Sequence, residues 1–422
     1  MFWVESEWGR GMQTVLITGA ASGIGRDTAR LFARSGWQCV LVDRNEQALT
    51  EVGKSLPAPA GAAHLLRAID LTDSAQIASM GGNLPPLDAI LNNAGMTEPS
   101  TLPLVEQEME QLNRLLALNL AAPAAVVEAC AHLLRPGAHI VNVASGAGLA
   151  AIPWRGAYSP SKAGLIAQTF ALANARPDLC VTVLAPGFVR TELVEGLIQA
   201  GRLKPEGAVA KIPLGRMAVP AEMANALFFL ASAGAKPLSG QILALNGGSS
   251  IYGGSQPFAP ATLETLAQDL PMKLEIVGAG AAPWQASFHE PEIGACYEAC
   301  LDVSALSAPT NGLVGAVHAA AKRFASSYTQ QASLTLVLPA SSTARWQDAG
   351  DAAAARMLVS TLACEWGGRA LRINALEVPE GAVEEFLSSS EAHSLLRYVC
   401  GAAAQYLTGQ TLACRNFSKR AA

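Results

Sequence analysis

Eight residues near the start, TGAASGIG at positions 18–25, constrain the fold more than any other stretch. They follow the apolar run Val15-Leu16-Ile17, which reads as a buried strand. Glycines 19, 23 and 25 are spaced G-x-x-x-G-x-G. Without a Cβ they let the backbone turn tightly and let a ligand come close to it. A helix after the turn aims its N-terminal N–H groups and the positive end of its dipole at that spot, which suits a pyrophosphate. Taken alone, such a turn is equally a structural device.

The first half of the chain repeats this strand-then-helix rhythm. Residues 14–17, 39–43, 89–91, 139–143 and 181–186 are short apolar runs, and 240–248 reads as a last strand. Helical patterns lie between them, for example at 25–35 and 161–175. Alternation of this kind implies βαβ units, hence an α/β fold with a Rossmann-type doubly wound parallel sheet.

The chain has 422 residues, too many for one ordinary α/β domain and enough for two. A Gly-, Ser- and Pro-dense stretch over 247–262 breaks the pattern, and a second α/β pattern begins near 272. The expected division is a catalytic domain at 12–250, a linker at 251–270 and a second, truncated Rossmann-like domain at 271–418. The second part echoes the first. YLTGQTLAC at 406–414 resembles PLSGQILAL at 237–245, and LACEWGGRALRINALEVPEG at 362–381 resembles LANARPDLCVTVLAPGFV at 172–189. This is a weak duplication on the scale of a domain, not a solenoid repeat.

Composition excludes several functions. Half of the residues are hydrophobic and 15% are charged, which describes a compact protein with a large core rather than a disordered one. With a net charge of -5 and no Lys/Arg block, nucleic acid is not an expected partner. The start, MFWVESEWGRGMQ, is acidic where a secretory signal would be basic, and Met12 offers an alternative first residue. Residues 136–154 carry no Asp, Glu, Lys or Arg, but their Asn, His, Ser and Gly make a poor membrane span. The eight cysteines contain no C-x-x-C and the six histidines no H-E-x-x-H, so no metal site is expected. The expectation is a cytoplasmic protein with reduced cysteines and neither membrane nor nucleic-acid partners.

The second strand ends at Asp43, where a dinucleotide fold uses an acid to bind the adenosine ribose hydroxyls. Its charge disfavours a 2′-phosphate and favours NAD over NADP. Arg26 and Arg44 pull the other way if they face the ligand, and are solvated surface residues if they do not. Asp70, at the end of another strand, either meets the adenine or caps a turn.

With these residues in place the chain resembles the short-chain dehydrogenase/reductase family. The resemblance rests on TGAASGIG, NNAG at 92–95, Asn119 in LNLAAP, Ser145 in VNVAS, YSPSK at 158–162 and PGFVRT at 186–191. They stand in the family's order and cover roughly residues 12–248. The resemblance implies a nicotinamide cofactor and a catalytic tetrad of Asn119, Ser145, Tyr158 and Lys162. It also implies cofactor contacts from Gly19, Ser22, Gly23, Ile24, Gly25, Asp43, Arg44, Asp70, Leu71, Asn93, Ala94, Gly95, Tyr158, Lys162, Pro186, Gly187, Val189 and Thr191. In the family the asparagine holds a water of a proton relay and the lysine also binds the nicotinamide ribose.

The chemistry of these residue types agrees. Tyr158 and Lys162 are four apart and share one face of a helix. A free phenol titrates near about 10, and a neighbouring ammonium is expected to lower that value. Tyr158 then serves as general acid in reduction and general base in oxidation, while Ser145 steadies charge on the substrate oxygen. Ile152, Trp154 and the apolar residues of 192–220 border an expected apolar pocket, which fits a ketone or secondary alcohol. Two other functions stay open. One is a 3-oxoacyl-thioester reductase, with Arg155, Arg190, Arg202, Lys204, Lys211 and Arg216 as the basic residues that would meet a carrier. The other is an NAD(H)-binding sensor or scaffold without turnover.

Carrying the 172/362 match backward by the same shift of 190 puts Asp348 opposite Tyr158 and Ala352 opposite Lys162. Ser341 or Ser342 falls near the counterpart of Ser145. The VGAGAAPW echo of the glycine turn lacks the last glycines, and Pro283 falls in its early helix. The second half therefore reads as a non-catalytic copy that acts as a built-in partner, an internal pseudo-dimer able to dimerise further.

Overall fold

The structure is a computed structural model. It describes residues 12–59, 61–97, 102–278, 281, 285, 294–309, 312–340, 346–379 and 381–415, except the side chains of 346–348. The chain forms two compact units that are discontinuous in sequence. The first holds residues up to Gly196 with Val219–Ser232 and Gly240–Leu243. The second holds Leu197–Ala218, Ala233–Ser239 and the chain from Ala244 onward.

The first unit is built on seven parallel strands: β1 (Thr14–Thr18), β2 (Gln38–Asp43), β3 (Leu65–Ala68), β4 (Leu87–Asn92), β5 (Leu134–Val143), β6 (Cys180–Leu184) and β7 (Ile242–Leu243). Their order is β3-β2-β1-β4-β5-β6-β7, as the doubly wound expectation requires. Leu16 lies level with Val40 on one side and Ile90 on the other, and all three are fully buried. Helices cover both faces, so apolar residues run continuously along β1 instead of alternating. Helix α1 (Gly23–Arg34) packs its Phe32 edge-on against Phe228, 5.0 Å away on the helix Pro220–Leu230. Strand β5 starts five residues before the apolar run, at half-buried Leu134 followed by exposed Arg135-Pro136-Gly137, because Leu134 pairs with Leu87 across a bulge. Strand β7 is shorter than the 240–248 run; Gly240, with positive φ, lies just before it, and Gly247 and Gly248, also with positive φ, lie beyond it.

Among the described residues one helical run, Met109–Ala129, is long and apolar enough to cross a membrane by length and composition. It is not one regular helix. Five residues, Ala117–Ala121, form a π-turn between helices Met109–Leu116 and Ala122–Ala129.

The second unit has five parallel strands, β8 (Met272–Val277), β9 (Tyr297–Asp302), β10 (Ala332–Pro339), β11 (Arg372–Val378) and β12 (Thr411–Ala413). They lie side by side in sequence order. It is a second, smaller α/β unit. Helices Leu313–Ser327 and Trp346–Trp366 supply Val317, Phe324, Val359 and Trp366 to a core against Leu334, Leu336 and Ile373. Pro283, Ser341, Ser342 and the Asp348 side chain lie outside the described residues. Ala352 is buried within the second helix.

The Gly/Ser/Pro-rich stretch is hydrogen-bonded into this unit. Gly247 N–H donates to the Tyr406 carbonyl at 3.1 Å, Phe258 N–H to Ala210 at 3.0 Å, and Ala261 N–H to Gly215 at 2.8 Å. The Tyr406 hydroxyl donates to the Arg216 carbonyl at 2.9 Å, and a Cβ on Gly367 would fall on the Pro213 carbonyl oxygen. Arg372 is almost wholly buried, with no carboxylate partner among the described residues. Its guanidinium donates to the carbonyls of Val399, Cys400, Gly401, Ala404 and Leu407, and to the Tyr297 hydroxyl. Three of those carbonyls end the helix Ser390–Cys400, where a cation is favoured by the dipole.

Candidate active site

The glycine turn lies where β1 enters α1. Gly19 and Gly23 have φ of 66° and 51°, which side chains rarely adopt. Gly25 has an ordinary φ, but a Cβ there would strike the Gly19 carbonyl. Ser22 caps α1 with extended backbone. The tips of β1 and β4 are tied together. Thr18 Oγ1 accepts the N–H groups of Asn93 and Ala94, each at 3.0 Å. Asn93 Nδ2 donates back to the carbonyls of Thr18 (3.0 Å) and Gly19 (3.2 Å). Thr18 stands at the end of an apolar strand with no spacing signal of its own, so only the polar residue there hinted at its role.

A cleft of about 320 Å³ opens at this switch in strand order. Its lining includes Gly19, Ser22, Gly23, Ile24, Asp43, Arg44, Asp70, Leu71, Asn93, Ala94, Gly95 and Thr191 from the expected cofactor set. Gly25, Pro186, Gly187, Val189, Tyr158 and Lys162 are not among its lining residues. Arg114, Glu192 and Leu193 are; Leu193 belongs to the apolar 192–220 segment expected to border the pocket, while nothing in the spacing of Arg114 and Glu192 marked them in advance. Asp43 accepts the N–H of Ala21 at 3.1 Å and of Asn45 at 2.9 Å, which fixes its carboxylate at the cleft edge. Asp70 accepts the Thr72 N–H at 2.9 Å and hydroxyl at 2.7 Å, so it does form the turn contact. Those bonds, helped by the charges of Arg44 and Arg114, hold its carboxyl below the usual range. Arg26, weighed above as a phosphate partner, is instead paired with Glu192 at 2.7 Å.

Gly95 joins the cleft to the tetrad. A Cβ there would lie 3.3 Å from both Lys162 Nζ and Asn119 Oδ1. Asn119 sits in the π-turn, fully buried, and its amide is committed to protein partners. It accepts the Met96 N–H at 2.9 Å and donates to the Met96 carbonyl at 2.9 Å and Ser161 Oγ at 3.2 Å. Ser161 in turn donates to the Tyr158 carbonyl at 2.7 Å. The helix Tyr158–Ala175 starts at the tyrosine and carries Lys162 one turn on. The Lys162 ammonium donates to the Val143 carbonyl at 2.9 Å, the end of β5. Burial pushes its pKa down to about 8. Ser145 follows β5, caps a short turn by accepting the Ala147 N–H at 3.1 Å, and hydrogen-bonds the Tyr158 phenol. Pro186 accepts the N–H of the adjoining Gly146 at 2.8 Å.

The Tyr158 phenol departs from expectation. Burial raises its pKa, and the Ser145 hydrogen bond and the Arg155 charge only partly oppose that rise. The lysine was expected to lower it; desolvation of the phenolate is the larger effect. Around the site, Leu149, Ile152, Trp154 and Leu193 are exposed, and Trp154 has a φ of 63°. Such strain in a bulky exposed residue is typical of functional loops. Arg190, one of the basic residues weighed for a carrier, is paired with Glu195 at 2.9 Å.

Comparison with known proteins bears on this arrangement. The family described as enoyl-(acyl carrier protein) reductase matches residues 19–250, more than half of the chain. The chain is 39% identical over 242 residues to the uncharacterized short-chain type dehydrogenase/reductase y4vI of Sinorhizobium fredii, covering 56% of this chain and 43% of that protein. The 3-oxoacyl-[acyl-carrier-protein] reductase FabG of Rickettsia prowazekii is 31% identical over 240 residues, 56% of this chain and 96% of that one. Among solved structures, the angucycline C-6 ketoreductase LanV with bound NADP superposes with a TM-score of 0.52 at 25% identity, over 57% of this chain and 96% of that one.

Proposed function

This chain belongs to the short-chain dehydrogenase/reductase family, and from that premise we propose that it is a nicotinamide-dependent oxidoreductase that interconverts a ketone and a secondary alcohol. The observation that carries the reading is the Tyr158 phenol hydrogen-bonded to Ser145, one helical turn from a buried Lys162, beside a glycine-turn cleft.

The cleft fits the cofactor: Gly19 and Gly23 keep positive φ there, and the Gly25 position admits no Cβ. Gly19, Gly23 and the start of α1 would hold the pyrophosphate, Asp43 the adenosine ribose, and Thr191 the carboxamide end. When bound, the dinucleotide supplies the carbon that gives or takes a hydride. Tyr158 does the proton chemistry. Burial keeps the phenol protonated at neutral pH, the form that donates to a carbonyl oxygen during reduction. Ser145 donates to the same oxygen as its charge grows. The Lys162 ammonium, with one carbonyl acceptor and two donor positions left among the described residues, stabilises the phenolate after transfer. Asn119 acts as a positioning residue, since its amide ties the Met96 backbone to Ser161 in the helix Tyr158–Ala175. In this reading Asp43 favours NAD, while Arg44 in the same cleft leaves room for NADP.

A second reading, reduction of 3-oxoacyl thioesters, draws on the FabG relatives. The second unit would serve as the internal partner that completes the enzyme. The test is calorimetric titration with NADH and NADPH, then turnover of simple ketones against acetoacetyl-coenzyme A. Binding of one NADH per chain with ketone turnover supports the first reading; thioester turnover alone supports the second. Binding without any turnover would leave a sensor.

A further inference from the structure

Glu192 holds the groups that a cofactor phosphate needs. It opens the helix Glu192–Gln199, and its carboxylate reaches back to the glycine turn. There Oε2 accepts the Gly23 N–H at 3.0 Å and Oε1 pairs with Arg26 at 2.7 Å. Gly23 is the first residue of α1, so its N–H is one of the unpaired donors at the positive end of a twelve-residue helix. Glu192 and Leu193 both line the cleft, next to Gly19, Ser22 and Thr191.

We propose that Glu192 is a latch on the cofactor cleft: its carboxylate occupies the phosphate position, and a dinucleotide enters only by displacing it. This rests on the reading of the cleft as a dinucleotide site. Two anions cannot share one N–H donor and one guanidinium without strong repulsion. The arriving pyrophosphate therefore takes over the Gly23 N–H and Arg26, and Glu192 must turn out.

The contact is built to be held and to be released. Neighbouring bonds set the turn that carries it. Thr191 Oγ1 accepts the Val194 N–H at 3.3 Å, and Arg190 pairs with Glu195 at 2.9 Å. The Thr191 methyl lies 3.3 Å from where a Gly23 Cβ would be, so the segment rests on the glycine itself. Yet the Glu192 side chain is 54% exposed, and a solvated ion pair of that kind is weak enough to exchange. Displacing Glu192 frees the first turn of its helix, next to Thr191, so cofactor arrival and rearrangement of this segment are one event. Closed-latch molecules cannot bind, and the apparent affinity falls by the fraction that is open.

The test uses the full chain. Glu192→Gln and Glu192→Ala are titrated with NADH and with NADPH by fluorescence, with circular dichroism to verify folding. Both are expected to bind roughly three- to tenfold more tightly than the wild type. Amide exchange in residues 190–196 of the wild type is expected to rise when NADH is added. If the wild type binds NADH and both folded variants bind it equally or less tightly, the latch is overturned while the cofactor site stands. If neither the wild type nor the variants bind either dinucleotide, the cofactor site fails and takes the latch with it.

Discussion

In the first sheet, β1 has β2 on one side and β4 on the other, so the strand order reverses there. In the second sheet every strand lies beside its neighbours in sequence. Both sheets are parallel and both have buried cores, but only a reversal makes the loops leaving adjacent strands diverge and open a crevice. The cleft stands at the β1/β4 reversal, lined by residues 19–24 on one side and 93–96 on the other. A five-stranded sheet in sequence order has no such point.

The buried cations teach the same lesson at the scale of one residue. Lys162 has three donors and one carbonyl acceptor, that of Val143. Arg372 has five N–H donors and six acceptors around them. One cation is left with capacity for a ligand; the other is saturated by its own fold.

The comparison can be broken in several ways. The largest effect is expected from ending the chain after Gly254. That cut removes β8–β12 yet leaves residues 197–218, 233–239 and 244–254, which belong to the second unit. Loss of soluble, monodisperse protein is expected in size-exclusion chromatography; a soluble and fully active monomer would dissolve the division into these units.

Next comes Tyr158→Phe, which leaves the ring but removes the proton. Its kcat should fall by about 10²–10⁴, the usual contribution of a general acid. A steady-state assay with the best ketone would show it, and a fall of less than tenfold would move the acid elsewhere.

Exchanging the two cations sharpens the contrast. Arg372→Met should destabilise the protein by roughly 3 kcal/mol or more, because several buried carbonyls lose their donors. Lys162→Met should do the opposite at pH 7. The Lys162 pKa is about 8 in the fold, below its ordinary 10.5, so the unfolded chain binds more protons between those values. Stability therefore rises with pH across that window, and the burden of the buried ammonium is full below about pH 8. Melting curves should show Lys162→Met more stable than wild type at pH 7, with the gap closing toward pH 10.5 and turnover lost throughout.

The smallest effects separate two glycines. Gly25→Ala and Gly367→Ala each place a Cβ on a carbonyl oxygen, that of Gly19 or of Pro213. Each should cost about 1–3 kcal/mol by overpacking. Only Gly25→Ala should also weaken NADH binding in a fluorescence titration; a loss with Gly367→Ala would link the second unit to the cofactor.

Much of the first unit was legible because its signals are local. The apolar runs at 14–17 and 39–43 needed no partner to read as strands, and the glycine and tyrosine-lysine motifs depend on spacing alone. What escaped depends on what comes near in space. The start of β5 at Leu134–Gly137 is exposed after a half-buried Leu134 and carries Arg, Pro and Gly, and only the pairing of Leu134 with Leu87 makes it a strand. Glu192 is one acid after a threonine until the fold brings it to Gly23. Residues 197–218 continue the first half in sequence, yet pack with the second through contacts such as Gly215 to Ala261. The direction of the Tyr158 shift followed from burial, a quantity no motif contains.

The π-turn at Ala117–Ala121 has a consequence for chain length. A π-turn is an α-helix with one surplus residue, and each residue of an α-helix advances the side chains by about 100°. Deleting a single residue there would restore a regular helix and rotate Met109–Leu116 by that angle relative to Asn119. Asn119 could then keep its hold on Met96 only if Arg114 left the cleft wall. The wall of the cleft and the anchor of the tetrad are thus set by a count of residues, so that a one-residue deletion can cost what no substitution at the same place would.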